Sequence, residues 1–334
     1  FHYLHHQQGG KHYEDFAETS SRILAAALQT GIGLTHLPVF FMQGGLNGEK
    51  LSQVQMRFGN NPQQYLRLLE QIENEIQTAP EDYMFGIAPH SLRAVSPEAL
   101  KEILDSRQCE PVHIHISEQQ KEVEDIQNNY GKRPVNWLID NVNVDSRWCL
   151  VHATHMLPEE IDKLAKSGAV AGLCPVTEAN LGDGIFNGTK YISSGGKYGI
   201  GSDSNVSISL TDELRMLEYM QRLYNKERNV MNNSFGSVGE FLYTSTLSGG
   251  NQALARNSGI IASGQWADLL TLDSDAIAFF GSSEDEILDR WIFSANDSLV
   301  REVWSAGRQM VVEGNHINHE QIEKRYRNII RQLY

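Results

Sequence analysis

Residues 112–118 read VHIHISE, and the reading of this run decides the fold. In a strand, alternate side chains share a face, so His113 and His115 point the same way and Glu118 can turn back beside His115. A neutral imidazole suits a divalent ion such as zinc, and a carboxylate that does not ligate can shuttle protons to and from water. The same letters also fit two hydrogen-bonded core histidines ahead of a carboxylate that starts the next helix. Working outward, this strand is one of six similar ones, at residues 31–41 (GIGLTHLPVFF), 83–90 (YMFGIAPH), 111–116, 148–152 (WCLVH), 169–174 (AVAGLC) and 197–203 (KYGIGSD). Helical spacing fills the intervals: 62–77, a helix opened by Ser96-Pro97-Glu98, 119–128, 158–166 ended by Gly168, and a long one capped by Thr211 and running to about residue 225. Strands each followed by a crossover make a parallel sheet, and nearly wholly apolar strands mean cover on both faces. A doubly wound sheet satisfies that pattern too. His90, His115, His152 and Asp203 all fall at C-terminal strand ends, where a (β/α)8 barrel places its chemistry, and this favours the TIM-type barrel.

After about Gly250 the pattern changes to short β-structure, with a hairpin expected over 300–314 turning at Ala306-Gly307 and an amphipathic helix over 319–334. The expected division is a catalytic barrel at 1–250, a β-sandwich-like module at 251–318 and a terminal helix at 319–334. The chain has 334 residues, 40% of them apolar and 21% charged, enough to bury a large core. Its 42 acidic and 28 basic residues give a formal charge of -14, which argues against a nucleic-acid partner. A small anionic substrate would need a local arginine in its pocket. Three cysteines without paired spacing point to a reducing, cytoplasmic setting, and no apolar run reaches the ~18 residues that cross a membrane. No internal repeat is evident, and the first residues do not read as a signal peptide. The abrupt start at FHYLHH, residues 1–6, suggests that the beginning of a domain lies outside the sequence.

Two further segments carry candidate groups. In 148–155, WCLVHATH, an apolar strand ends in His152, which can polarise a reacting group, bind a second metal, or serve as a hydrogen-bonded structural residue. In 199–204, GIGSDS, Asp203 can complete a metal site and accept a proton, or form a helix cap or Asx turn. His2, His5, His6 and His12 are irregularly spaced and read as a loop. Cys174 precedes Pro175 without an evident base and reads as core, and Lys197 as solvated. Arg93 follows a strand directly, which suits a planar clamp on a carboxylate; the bland alternative is a surface ion pair.

Histidine, histidine and aspartate at one end of three strands, with GQWADLL at 264–270 after Gly259, resemble the deaminase branch of the amidohydrolase superfamily. Within it, FHYLHH at 1–6, HSLRAV at 90–95, HIHISEQQKEV at 113–123, WCLVHATH and TEANLGDGIF at 177–186 resemble the formiminoglutamate deiminase family over nearly the whole chain. The resemblance implies a metal-dependent hydrolase of non-peptide C–N bonds in histidine catabolism, releasing ammonia from N-formimino-L-glutamate. It implies one zinc per site, with Fe2+ as the substitute, and a homodimer. By the same likeness His115 and Asp203 are metal ligands, Glu118 is the proton shuttle and His152 assists at the reacting centre, with Asp203 also a proton acceptor. Tyr3, His90 and Arg93 hold the substrate. The family takes two more ligands from a His-x-His on the first strand, which these residues do not include, so the sequence is expected to be a piece of a longer chain. The alternatives are a deaminase of a nucleobase or an imidazolone, and a non-catalytic barrel that only binds.

Overall fold

Six strand positions follow one another in chain order. In the computed structural model, which describes residues 1–232 and 236–334, they are β1 (Leu34–His36) continuing as β2 (Val39–Phe40), β3 (Tyr83–Phe85) continuing as β4 (Ala88–Pro89), β5 (Val112–Ile116), β6 (Trp148–His152), β7 (Val170–Leu173) and β8 (Lys197–Ile200). All pair in parallel: β1 with β3, β2 with β4, and β5 through β8 in order. A parallel bridge from Ile87 to Val112 joins the two sets, and one from His2 to Pro38 extends the first. The single strand expected over 31–41 is in fact two pieces, broken at Pro38, which has no N–H to give to a ladder.

Helices supply the crossovers: α1 (Glu18–Thr30) before β1, α2 (Pro62–Ile76), α3 (Pro97–Ser106), α4 (Gln120–Tyr130), α5 (Pro134–Asn141), α6 (Pro158–Ser167), α7 (Pro175–Leu181), α8 (Gly188–Ser193), α9 (Leu210–Asn225) and α10 (Val238–Ala253). Their starts are written locally. Asn61 and Gln64 form a reciprocal capping box on α2, with Pro62 at the first position, and Tyr65, Leu68, Leu69 and Ile72 then repeat on its buried face. Each such burial contributes roughly 1.5–3 kcal/mol. On α9 the cap is Ser209, whose hydroxyl accepts from the Asp212 N–H, rather than Thr211, which is already inside the helix. Helix α10 lies backbone to backbone on β8: a Cβ at Gly249 would come within 1.9 Å of the Tyr198 carbonyl oxygen. The parallel core with its covering helices is of the TIM-barrel type.

A four-stranded antiparallel sheet follows, β9 (Leu269–Leu272), β10 (Val300–Ser305), β11 (Arg308–Val312) and β12 (Asn315–His316), with α11 (Ile287–Ser294) between β9 and β10 and α12 (His319–Leu333) last. The hairpin turns at Ala306 and Gly307, both at positive φ, 47° and 79°. Asp82, buried just before β3, anchors this sheet: its carboxylate takes Arg308 at 2.9 and 2.7 Å and Arg256 at 3.3 Å, while Arg256 also holds Asp268 at 2.6 and 2.8 Å. Among the described residues no helix is long and apolar enough to cross a membrane.

Candidate active site

Parallel register brings the C-terminal ends of β5, β6 and β8 to one rim. Ile116 pairs with His152, Val151 with Gly172, and Leu173 with Ile200, so His115, His152 and the residues just beyond Ile200 lie at one level. At these ends the backbone turns through the left-handed region: Ser117 has φ 51°, His152 68°, Ala153 49° and Asp203 49°. Such conformations persist only where the surroundings enforce them. Backbone bonds from Ala153 to Ile116 and from His155 to Ser117, both 3.0 Å, lock the first two turns together.

His115 is held by its Nδ1–H, which donates to the His90 carbonyl at 3.0 Å. A carbonyl only accepts, so Nε2 carries no hydrogen and faces the Tyr3 hydroxyl, 3.3 Å away. The His152 ring lies 5.6 Å from that of His115, with its Nε2 3.7 Å from Glu118 Oε1 and without a hydrogen-bond partner. Ligand atoms of His115, His152 and Asp203 lie within 4.8 Å of one another, and among the described residues they are the only such group. The hydrogen-free Nε2 of His115 and the Asp203 carboxylate fit a divalent ion whose bonds are ~2 Å long after small side-chain shifts, and His152 Nε2, buried and orphaned, stands beside them.

Burial, and then the charge of His152, pushes His115 down to about 4, so its imidazole is neutral at neutral pH. Burial, with His115 and Arg93 adding, holds His90 well below the ordinary imidazole range. For His152 burial works downward, but the hydrogen bond to Glu178 and the charges of Glu118, Glu178 and Asp203 outweigh it and raise its pKa. Glu118 is raised too, by burial first and by Asp183 and Asp203, against His152 and Arg93. It therefore keeps a proton to higher pH than a solvated glutamate.

Arg93 is half-buried, and its Nε is buried with no hydrogen-bond partner. It is no surface ion pair; its charge acts on His90, Glu118 and Glu122. The His90 ring stands 5.0 Å from His115 and 5.7 Å from Tyr3. All seven residues singled out from the sequence thus gather at one rim. His113 does not join them: its Nε2–H donates to the Ala253 carbonyl at 2.7 Å, a core histidine. Nor do the early histidines, since His2 bonds to Thr19, His5 to the Val39 carbonyl and His6 to the Gly59 carbonyl. Cys174 is core as expected, and burial drives its thiol well above the usual range. Two clefts of about 700 Å³ each lie elsewhere, one along Lys101, Trp137 and Trp148 and the other between α10 and the antiparallel sheet; neither includes any of the seven.

Carboxylates whose part the sequence did not reveal support the rim. Glu122 receives the N–H groups of Ser117 and Glu118, both at 3.0 Å, and so fixes the turn that carries Glu118. Glu178 contacts His152, and Glu213 receives the Val176 N–H at 2.9 Å, its own pKa pushed up to about 7 by burial and by Glu178, Asp212 and Asp203. The only local signal for them is an acidic residue in the first turn of a helix.

The chain is 46% identical over its whole length to a formimidoylglutamate deiminase of Pseudomonas aeruginosa, of which it spans 74%. A solved amidohydrolase from Brucella melitensis, also 46% identical, superposes with a TM-score of 0.95 over 100% of this chain and 73% of that one. A zinc-bound adenosine deaminase from Xanthomonas campestris, 21% identical, shares the fold at a TM-score of 0.78 over 97% of this chain and 72% of its own. The amidohydrolase family profile matches residues 13–310, which include β5, β6 and β8 and every rim residue but Tyr3. With its rim of His115, His152 and Asp203 on that scaffold, the chain belongs to the amidohydrolase family.

Proposed function

We propose that the protein hydrolyses N-formimino-L-glutamate to N-formyl-L-glutamate and ammonia, at one zinc ion held by His115 and Asp203. The convergence of His115, His152 and Asp203 supports this most directly, and the 46% identity to a formimidoylglutamate deiminase supports the substrate. Zinc bound there supplies Lewis acidity, which brings the pKa of water toward ~7. Asp203 accepts the proton that the attacking water gives up. Glu118, with its raised pKa, protonates the imino nitrogen to an amine. The proton held by Asp203 then passes to that amine, the hydroxyl on carbon gives its proton back to Glu118 as the formyl C=O forms, and the C–N bond breaks to release ammonia. His152, presenting Nε2 without a hydrogen, accepts a hydrogen bond from the attacking water and so assists at the reacting centre.

The substrate is a dianion with an amidine at one end, and the site is charged to match. Arg93 has a guanidinium with an unused buried Nε, suited to a bidentate grip on one carboxylate, with His90 beside it. Tyr3 keeps its phenol proton, since burial, Asp203 and Glu118 all raise its pKa, and so it remains a donor. A nucleobase would leave the Arg93 charge unanswered, which disfavours the purine and cytosine readings. The test is an ammonia-release panel with metal analysis on the purified full-length protein. Turnover of a nucleobase with none of formiminoglutamate rules out the substrate; lack of any bound divalent metal rules out the hydrolytic reading.

A further inference from the structure

The first turn of α7 touches two of the rim elements. Glu178, only 2% exposed, uses Oε1 twice: it accepts the Cys174 N–H at 3.0 Å and lies 3.4 Å from His152 Nδ1. One residue earlier, the Thr177 hydroxyl donates to the Ser202 carbonyl at 2.9 Å, next to Asp203. One residue before that, the Val176 N–H is held by Glu213 at 2.9 Å. The turn is therefore pinned from β8 and from α9 before it meets His152. A carboxylate oxygen that already receives an N–H is an acceptor, so the hydrogen at the second contact belongs to His152 Nδ1. That leaves Nε2, which has no protein partner and lies 3.7 Å from Glu118.

We propose that Glu178 is a positioning residue, which keeps a hydrogen on Nδ1 of His152 and so reserves Nε2 as the atom that meets the substrate. The role rests on the reading of His152 as part of a hydrolytic centre. Two constraints then fix the imidazole: the left-handed backbone at φ 68° sets where the ring starts, and Glu178 sets which edge turns inward. Without Glu178 the ring could rotate or change tautomer and present an N–H where an acceptor is needed. A cap on α7 alone would not do this, because the Cys174 contact makes no demand on His152. Orienting partners of this kind typically change affinity or activity by 10–100-fold when removed.

The test is a mutant cycle on the zinc-loaded protein. Glu178→Ala is expected to lower kcat by roughly 10–100-fold, with KM within about threefold and metal content unchanged. Glu178→Gln, which keeps an acceptor oxygen, should recover most of that loss. In a His152→Ala background the Glu178→Ala change should cost less than about threefold more, because its target is gone. Nitrogen-15 spectra of labelled histidines, assigned by difference from His152→Ala, should show Nδ1 of His152 protonated in the wild type and a mixture of tautomers in Glu178→Ala. Should that variant not fold, Glu178→Met fills the space without an acceptor and takes its place. Equal losses in both backgrounds, or an unaltered tautomer, overturn the proposal. A wild-type protein inactive on formiminoglutamate instead overturns the substrate, and the spectra still decide the part played by Glu178.

Discussion

Lowering the pH from about 8 to about 5 should destabilise this protein through two histidines remote from the rim. His5 and His36 are 1% and 2% exposed; the first donates to the Val39 carbonyl at 2.8 Å and the second pairs with the Ser20 hydroxyl at 3.1 Å. Burial first, and then the nearby His2, pushes each down to about 3. In the unfolded chain the same rings titrate near 6.5. Between these values the unfolded state binds more protons, so stability is full above about pH 6.5 and falls as pH falls. At about pH 5 the separation from 6.5 is about 1.5 units, and at 1.36 kcal/mol per unit each ring costs about 2 kcal/mol, roughly 4 for the pair. That is a large share of a typical 5–15 kcal/mol. Gln at position 36 can still meet Ser20 but cannot titrate. Urea unfolding of wild type and His36→Gln at both pH values, with linear extrapolation, should therefore show a pH-dependent loss about 2 kcal/mol smaller in the variant. Identical losses in the two proteins would refute the reasoning, whatever the variant's stability at pH 8.

Glu118→Gln should retain metal and lose roughly 10²–10⁴ in turnover, because a primary amide cannot relay a proton; wild-type rates in that variant remove Glu118 from the mechanism. Arg93→Met should weaken the dianionic substrate by about 2–5 kcal/mol, read mainly in KM. An equal penalty on a mono-amide analogue would show that Arg93 does not grip a carboxylate. Asp82→Asn should cost about 1–3 kcal/mol by weakening the charged hydrogen bonds to Arg308 and Arg256, the latter keeping Asp268. Hydrogen exchange should then rise first over β9–β12, and unchanged exchange there would deny Asp82 its anchoring role.

The strands were legible because each is short, apolar and bounded, and because the polar residues stand at matching ends. Residues 112–116 and 148–152 form strands at the expected places, and register alone then brings His115 level with His152. Local chemistry also marked the Ala306-Gly307 turn. It misplaced the cap of α9, since Ser209 and Thr211 are both plausible hydroxyls two residues apart and only the direction of the chain separates them. Pro38 split a strand that hydropathy drew as continuous. Glu122, Glu178 and Glu213 were opaque for another reason. Each sits in a first helical turn, where a carboxylate has a sufficient local explanation, and the partner of Glu178 is 26 residues away in sequence. Arg93 is the opposite case: its distinguishing feature is a partner it lacks, which no pattern of letters displays.

The left-handed turns at Ser117 and Asp203 bear on how this enzyme can be improved. Each stores about 1–3 kcal/mol that a glycine would release. A library selected for heat resistance alone should accumulate glycine at both positions, and only the substitution at Asp203 should extinguish ammonia release. Screening for survival and for chemistry would then pull position 203 in opposite directions, while at 117 the two demands part company far less.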